Sequence, residues 1–153
     1  MFDIHGDWRI EVHGDIIVQW FSGCWNEEAI IAYVQEFQAK ATPLKGKEWA
    51  IVSLFEDWEL GVPEIDKHIE AHCEWFKNNG CIKDCHIYTT SAVKEMQLER
   101  LIPHTDAFYE RRVFINNEDA ANWLTSNGFY INSQNINKMT DKGALRPFPR
   151  NEP

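Results

Sequence analysis

The sequence lacks the long apolar runs, the basic excess and the repeats that mark several common protein classes. No window reaches the roughly 18 apolar residues of a membrane-spanning helix. The first ten residues, MFDIHGDWRI, have no apolar run of about seven or more, as a signal peptide does. Fifteen Lys and Arg stand against 24 Asp and Glu, a net charge of -9. Because phosphate backbones are bound through cations, nucleic acid is a poor partner candidate. We expect a cytoplasmic protein without membrane insertion.

The length and composition are those of an ordinary domain. A chain of 153 residues is long enough for one domain with a substantial core. Apolar residues make up 44% and charged residues 25%, as in soluble globular proteins. The four cysteines, which a reducing cytoplasm would keep as free thiols, are Cys24, Cys73, Cys81 and Cys85.

The composition changes near Gly128. Residues 128–153 contain four basic and two acidic residues, so this segment is +2 and residues 1–127 are -11. Asn, Gln, Gly and Pro are frequent in the segment, and its apolar residues are scattered singly. This predicts a domain over 1–127 followed by a C-terminal arm or partly ordered tail over 128–153. Such an arm could lie on its own acidic body or on a second subunit.

Strand and helix patterns alternate along residues 8–127. Trp8, Ile10 and Val12 alternate with polar residues, and Gly14-Asp15 supplies a turn before a second apolar run, which predicts a β-hairpin. The further predicted elements are a helix over 27–41 capped by Asn26, a strand over 49–55, a helix from Pro63 toward Gly80, a strand over 85–89, a helix over 90–102, a strand over 111–115 and a helix over 117–127 capped by Asn117.

This element order, ββαβαβαβα, predicts an α/β fold. Strands that alternate with helices of about ten or more residues need crossover connections, which make the strands parallel and lay the helices against the sheet. The opening hairpin adds an antiparallel pair. We therefore predict one mixed five-stranded sheet with helices packed on it.

Three stretches carry a family resemblance: GDIIVQWFSGCWNEEAI, GKEWAIVSLFEDWELGVPEI and ERRVFINNEDAANWL. Together with the element order, they make residues 4–127 similar to the SpoIIAA-like or STAS-like proteins of bacteria, which have the fold of anti-sigma-factor antagonists. The resemblance also implies a distant relation to Sec14-type lipid-binding domains. A shared fold does not by itself establish a function.

Regulatory members of that family carry a phosphorylated serine where the third strand meets its helix. The matching residues 55–61 (FEDWELG) contain no hydroxyl, and Ser53 lies inside the apolar run, where a phosphate would be costly to bury. The usual phosphorylation switch is therefore expected to be missing. In its place stands an acidic loop, in which Glu56, Asp57 and Glu59 surround Trp58. The loop is predicted either to contact a basic or aromatic partner or to be a solvated turn with Trp58 in the core.

The aromatic content is high, with seven Trp, nine Phe and four Tyr. Trp25, Trp58 and Trp75 fall at a strand-helix junction, in the acidic loop and beside the apolar stripe of the second helix. If they cluster, they can line a groove for an apolar ligand or form the seam of a homodimer. If they scatter, they are ordinary core packing.

One stretch suggests an anion site. Thr89, Thr90 and Ser91 lie where a strand ends and a helix begins, so hydroxyls and free N-H groups could hold a phosphate or carboxylate there. The stretch has no glycine-rich loop and no following Lys. A plain helix cap is the alternative.

Metal and nucleophile patterns are incomplete. His68 and His72 are four residues apart on a predicted helix, but the acid between them is misplaced for a zinc-protease helix. Cys81 and Cys85 have no second ligand pair. Cys24 precedes a helix whose dipole could lower the pKa of its thiol, but no nucleophile elbow accompanies it. We expect no metal, no cofactor and no catalytic residues.

These features favour a non-enzymatic STAS-like binding or regulatory protein that acts through protein contacts as a homodimer. The predicted contact residues are Glu56, Asp57, Trp58, Glu59, Trp25 and Trp75. A second hypothesis is a carrier or sensor of a small hydrophobic or acyl ligand, suggested by the aromatic residues and the Sec14-type relation. A third, less favoured, is a thiol or metal hydrolase.

Overall fold

A mixed five-stranded sheet runs through the molecule. The computed structural model describes residues 3–59, 61–89, 91–102 and 105–140. The strands, which lie side by side in chain order, are β1 (Asp7–His13), β2 (Ile16–Ser22), β3 (Trp49–Leu54), β4 (Cys81–Ile87) and β5 (Glu110–Phe114). β1 pairs with β2 antiparallel and every later pair is parallel. The predicted fold class is confirmed.

Helices cover both faces of the sheet. They are α1 (Glu27–Ala41), α2 (Asp66–Asn78), α3 (Ala92–Leu101), α4 (Asn117–Ser126) and α5 (Ser133–Asn137), with 3-10 turns at Thr42–Leu44, Pro63–Ile65 and Lys138–Thr140. Residues from α1, α2 and α3 share one core with the first face of the sheet, and residues from α4 and α5 share a second core with the opposite face. Among the described residues, no helix has the length and apolar character needed to cross a membrane.

Local sequence signals explain where several elements begin and turn. Gly14 has a φ of +63° in the turn between β1 and β2, a conformation that favours glycine. The Asn26 side chain accepts a hydrogen bond from the Ala29 N-H and caps α1. Every residue of β3 is buried, because helices cover both of its faces.

Two predicted boundaries differ from the structure. β4 begins at Cys81, not Cys85, since the polar pair Lys83-Asp84 interrupts the apolar pattern by which a strand is recognised. Lys83 pairs with Glu110 on the neighbouring strand, which accommodates its charge. The cap of α4 is Asn116, not Asn117, because the Asn116 side chain accepts a hydrogen bond from the Asp119 N-H.

The domain does not end at residue 127. Phe129, Ile136 and Met139 are buried in the second core, so the expectation of an arm over 128–153 is wrong for its first part. These three residues stand singly in the sequence and yet share one core with the sheet, which the sparse pattern did not reveal. The domain extends at least to Thr140, and residues 141–153 lie outside the described part of the chain.

This packing predicts that Ile136→Ala destabilises the whole domain. Ile136 is fully buried, and truncating a buried Ile to Ala typically costs about 2–5 kcal/mol. The free energy of unfolding from urea denaturation measures the effect. Lys138→Ala, an exposed position in the same segment, should change stability by less than about 0.5 kcal/mol. Equal effects of the two variants would contradict the packing described here.

Candidate ligand-binding cavity

The first face of the sheet carries polar side chains inside its core. Gln19 of β2, Ser53 of β3 and His86 of β4 are register partners and form a row across three strands. Asp84 lies two residues before His86 and therefore points to the same face. All four are at most 5% exposed. Burying polar groups without hydrogen bonds is costly. The hydrogen-bond partners of these four side chains therefore show which of their polar atoms are satisfied and which remain available.

One end of the row is hydrogen-bonded to α1, which in turn contacts α2. The Gln19 amide donates to the Ser53 hydroxyl at 2.8 Å, and the Tyr33 hydroxyl of α1 donates to Gln19 Oε1 at 2.6 Å. Nε2 of His72, on α2, lies 3.5 Å from the Tyr33 oxygen. Because the Tyr33 hydroxyl donates its hydrogen to Gln19, the Tyr33 oxygen can accept a hydrogen bond from His72 Nε2-H.

The other end of the row centres on Asp84. The Tyr109 hydroxyl donates to Asp84 Oδ2 at 2.5 Å, and His86 Nε2 lies 3.4 Å from the same oxygen. Burial and the nearby Asp84 carboxyl raise the pKa of Tyr109 well above its usual range, so its hydroxyl stays protonated and acts as a donor.

A cavity of about 70 Å³ lies above this row, between the sheet and the helices of the first face. On this measure a single water needs about 10–15 Å³ and a cavity that holds benzene has about 150 Å³. The enclosed space therefore holds several waters or a small organic group, and because it is partly open, a larger ligand would extend out of it. Its apolar lining comes from every neighbouring element: Phe21, Trp25, Ile30, Ile51, Phe55, Trp58, Ile65, Ile69, Cys73, Phe76, Leu98, Leu101 and Ile102. Among the described lining residues, none is Lys or Arg.

Three polar atoms beside the cavity lack a hydrogen-bond partner within the described chain. They are Asp84 Oδ1, His86 Nδ1 and His72 Nδ1, and each is buried. Most buried polar groups in proteins are paired. Three unpaired atoms among the residues that line one cavity mark it as a candidate binding site.

Two of the predicted contact tryptophans line this cavity. Trp25 and Trp58 are 2% and 5% exposed, so their rings cannot form an exposed partner surface, and the core alternative for Trp58 fits its position. Trp25 is fixed by a hydrogen bond from its Nε1 to the Ser22 carbonyl. Gly6 passes so close to the Trp25 ring that a Cβ there would lie 2.5 Å from it. Trp75 is half-buried at the edge of the core and does not line the cavity.

The carboxylates of the acidic loop are exposed but engaged. Glu56 accepts two hydrogen bonds from Thr89, one from its backbone N-H at 2.6 Å and one from its hydroxyl at 2.5 Å, and these bonds lower the pKa of Glu56. Asp57 accepts a hydrogen bond from the Trp20 indole at 3.0 Å. Glu59 is exposed.

The predicted anion site at residues 89–91 is next to this loop. The N-H and hydroxyl of Thr89 donate to the Glu56 carboxylate. A side chain of the protein itself therefore occupies the donors that were predicted to hold an external anion. Ser91 is the N-cap residue of α3, although its side chain makes no capping hydrogen bond. Thr90 lies outside the described residues.

The histidine and cysteine candidates are dispersed. His68 pairs with Glu27 at 2.9 Å, whereas His72 faces the cavity. Cys73, Cys81 and Cys85 are buried and Cys24 is exposed. In the part of the chain that the structure describes, no group of three or more His, Cys, Asp or Glu side chains is placed to hold a metal ion.

Sequence analysis missed the polar residues of the cavity. Gln19 and Ser53 each interrupt an otherwise apolar strand, IIVQWF and WAIVSLF, and a polar residue within a buried strand is itself a signal. That they are neighbours follows from the strand register, which the sequence alone does not specify.

A solved structure shows the same architecture. The chain is similar to an uncharacterized protein of the DUF3478 family with a SpoIIAA-like fold from Shewanella loihica PV-4, with a TM-score of 0.59 and 13% sequence identity over 81% of this chain and 98% of that chain. No protein-family model and no curated protein matches the chain. The chain therefore has the SpoIIAA-like fold that the resemblance implied, and at this identity the likeness concerns the fold alone.

The buried His72 predicts a specific loss of stability in acid. Burial lowers the pKa of His72 from 6.5 to about 3. Between these pH values the unfolded chain binds a proton here that the folded chain does not, so stability falls as the pH falls through this window, by up to about 1.4 kcal/mol per unit. His72→Gln should flatten the plot of unfolding free energy against pH between about 6.5 and 4.

Urea denaturation at several pH values measures this slope. His5→Gln is the matched control, because His5 is exposed, and it should leave the slope of the wild-type chain unchanged. An unaltered slope in His72→Gln would show that this imidazole is not held neutral by the fold.

Proposed function

We propose that the chain is a binding protein, a carrier or sensor, for a small and largely apolar molecule held in the cavity between the sheet and α1, α2 and α3. The observation that carries the proposal is the combination of an apolar lining with buried, unpaired polar atoms. Binding sites for small molecules are typically apolar pockets with a few placed polar groups.

The surroundings of the cavity favour a defined ligand geometry. The Phe21 and Phe55 rings stack at a centroid distance of 5.0 Å, and Phe55 meets the Trp58 ring edge-on at 5.7 Å. On the opposite side, Phe37 and Phe76 pack against the His72 ring at 4.5 and 5.3 Å. Aromatic rings held by such contacts give a binding site a fixed shape and require little reordering when a ligand enters.

The chemistry of the site supports binding rather than catalysis. Burial raises the pKa of the Cys73 thiol well above its ordinary range, which disfavours the thiolate that a cysteine nucleophile needs. The Ser53 hydroxyl accepts its hydrogen bond from the Gln19 amide, and an amide N-H cannot take a proton from serine as a catalytic base would.

Filling the cavity should abolish binding. Cys73 is a small residue on the cavity wall, so Cys73→Met places a longer side chain in the space that a ligand needs. We expect 2-phenylethanol to change the tryptophan fluorescence of the wild-type chain saturably, because Trp25 and Trp58 line the site. Its affinity should fall at least about tenfold in Cys73→Met, which corresponds to about 1.4 kcal/mol.

Cys24→Met is the matched control, since Cys24 is exposed and is not among the residues that line the cavity, and it should bind like the wild-type chain. Circular dichroism establishes that both variants are folded. Wild-type affinity in a folded Cys73→Met variant would reject the cavity as the binding site.

A second candidate is protein binding through the acidic loop, with a homodimer as one form of it. The supporting observation is that Glu56, Asp57 and Glu59 are exposed together, although Glu56 and Asp57 also hold the loop against Thr89 and Trp20. In this proposal the carboxylates, rather than the Trp58 ring, meet a basic surface.

Charge reversal tests this second candidate. An Asp57→Lys/Glu59→Lys variant should weaken binding of an Arg-rich peptide, and added salt should weaken binding to the wild-type chain, because exposed charges are screened. Glu48→Lys/Glu64→Lys makes the same change of net charge at exposed positions elsewhere. Equal losses in the two variants would show that net charge, not the loop, attracts the peptide.

A further inference from the structure

The unpaired atoms around the cavity define the chemistry of its ligand. Asp84 Oδ1 belongs to a carboxyl group that is 2% exposed. Its other oxygen accepts a hydrogen bond from the Tyr109 hydroxyl and faces His86 Nε2. Oδ1 itself has no partner in the described chain, and a carboxylate oxygen accepts hydrogen bonds.

The two unpaired histidine nitrogens are acceptors as well. His72 Nε2 faces a Tyr33 oxygen whose proton goes to Gln19, so Nε2 carries the hydrogen and Nδ1 presents a lone pair. His86 Nε2 faces Asp84 Oδ2 and therefore carries a hydrogen, so a lone pair of this ring can lie only on Nδ1. Burial of His72 keeps its ring neutral, because it lowers the pKa to about 3.

Asp84 also acts on several titratable groups of this region, although Arg111 and Lys77 oppose its effect at Cys73. Its carboxyl group contributes to raising the pKa of Cys73, Cys85 and Tyr109, after burial. No Lys or Arg is among the described residues that line the cavity. The site therefore offers acceptors and negative charge with no basic side chain in its lining.

We propose that the ligand carries a protonated primary amine on a compact apolar body, with the ammonium group donating to Asp84 Oδ1. The inference rests on the proposed function and names its ligand class. An ammonium group has three donors, and its hydrogen bond to a carboxylate is charge-assisted. The aromatic rings of Phe55, Trp25 and Trp58 add faces that attract cations. A ligand with a carboxylate group is disfavoured, because it has the same charge as Asp84 and offers no hydrogen-bond donor to Oδ1.

Three probes with the same phenyl body test this assignment: phenethylamine, 2-phenylethanol and 3-phenylpropionate. Isothermal titration calorimetry at pH 7.5 gives their affinities for the full chain. We expect phenethylamine to bind at least about tenfold more tightly than the alcohol, in line with the net value of hydrogen bonds to charged groups, and 3-phenylpropionate to bind more weakly than the alcohol.

Asp84→Asn keeps the shape of the side chain and removes its charge. It should reduce the affinity for phenethylamine at least about tenfold and change that for 2-phenylethanol by less than about threefold. Glu48→Gln makes the same chemical change at an exposed position and should alter neither affinity. If Asp84→Asn does not fold, the ranking of the three probes on the wild-type chain decides by itself.

The outcomes separate this inference from the proposed function. If the alcohol or 3-phenylpropionate binds as tightly as the amine, or if a folded Asp84→Asn variant retains the amine, the amine assignment is overturned while binding in the cavity stands. If none of the three probes binds, the proposed function fails and the amine assignment fails with it.

Discussion

The parallel pairing of β2, β3 and β4 is the constraint on which the rest of the structure depends. It brings Gln19, Ser53 and His86 into one row, although 34 residues separate the first two. Each strand places its polar residue on the same face only because the register aligns them, and a shift by one residue would send each side chain to the opposite core. α1 bonds to this row through Tyr33, and His72 of α2 in turn contacts Tyr33, so the row positions both helices over the sheet. The cavity is the space that remains between them.

A buried polar row of this kind is costly to fold. Apolar side chains at these positions would fill the space and contribute hydrophobic burial, whereas unpaired polar atoms in a dry interior reduce stability. Natural chains tend to break the rules of stable packing at sites of function. The first core contains buried polar side chains of this kind. The second core, built from Val18, Val52 and Leu124 among others, is apolar. The contrast between the two faces of one sheet places the buried polar residues on the first face, which supports the binding proposed for it.

Much of the architecture could be predicted from the sequence. Strong local signals, such as the Gly14 turn, the Asn26 cap and the unbroken apolar run of β3, lie where the structure has the corresponding elements. The start of β4 was missed because Lys83 and Asp84 interrupt its pattern, and their burial depends on partners far along the chain, Glu110 and Tyr109. The cavity was missed for the same reason: each of its polar residues looks unremarkable alone, and their proximity follows from long-range pairing. The tryptophans were predicted to line a groove or to be core residues, and the sequence could not say which. In the structure Trp58 lines the cavity and Trp75 does not.

The burial of Phe129, Ile136 and Met139 has a consequence for how the chain is made. Synthesis delivers strands and helices alternately, with the strands in the order in which they lie side by side, and the first face can be covered once α3 has emerged. The opposite face, with Val18, Val52 and Ile87 on it, receives its last cover when Ile136 and Met139 leave the ribosome. Until then an apolar sheet surface is exposed to its surroundings, a state in which partly folded chains aggregate or bind chaperones. Among the described elements, α5 and the 3-10 turn after it are therefore the last to cover this face of the nascent domain.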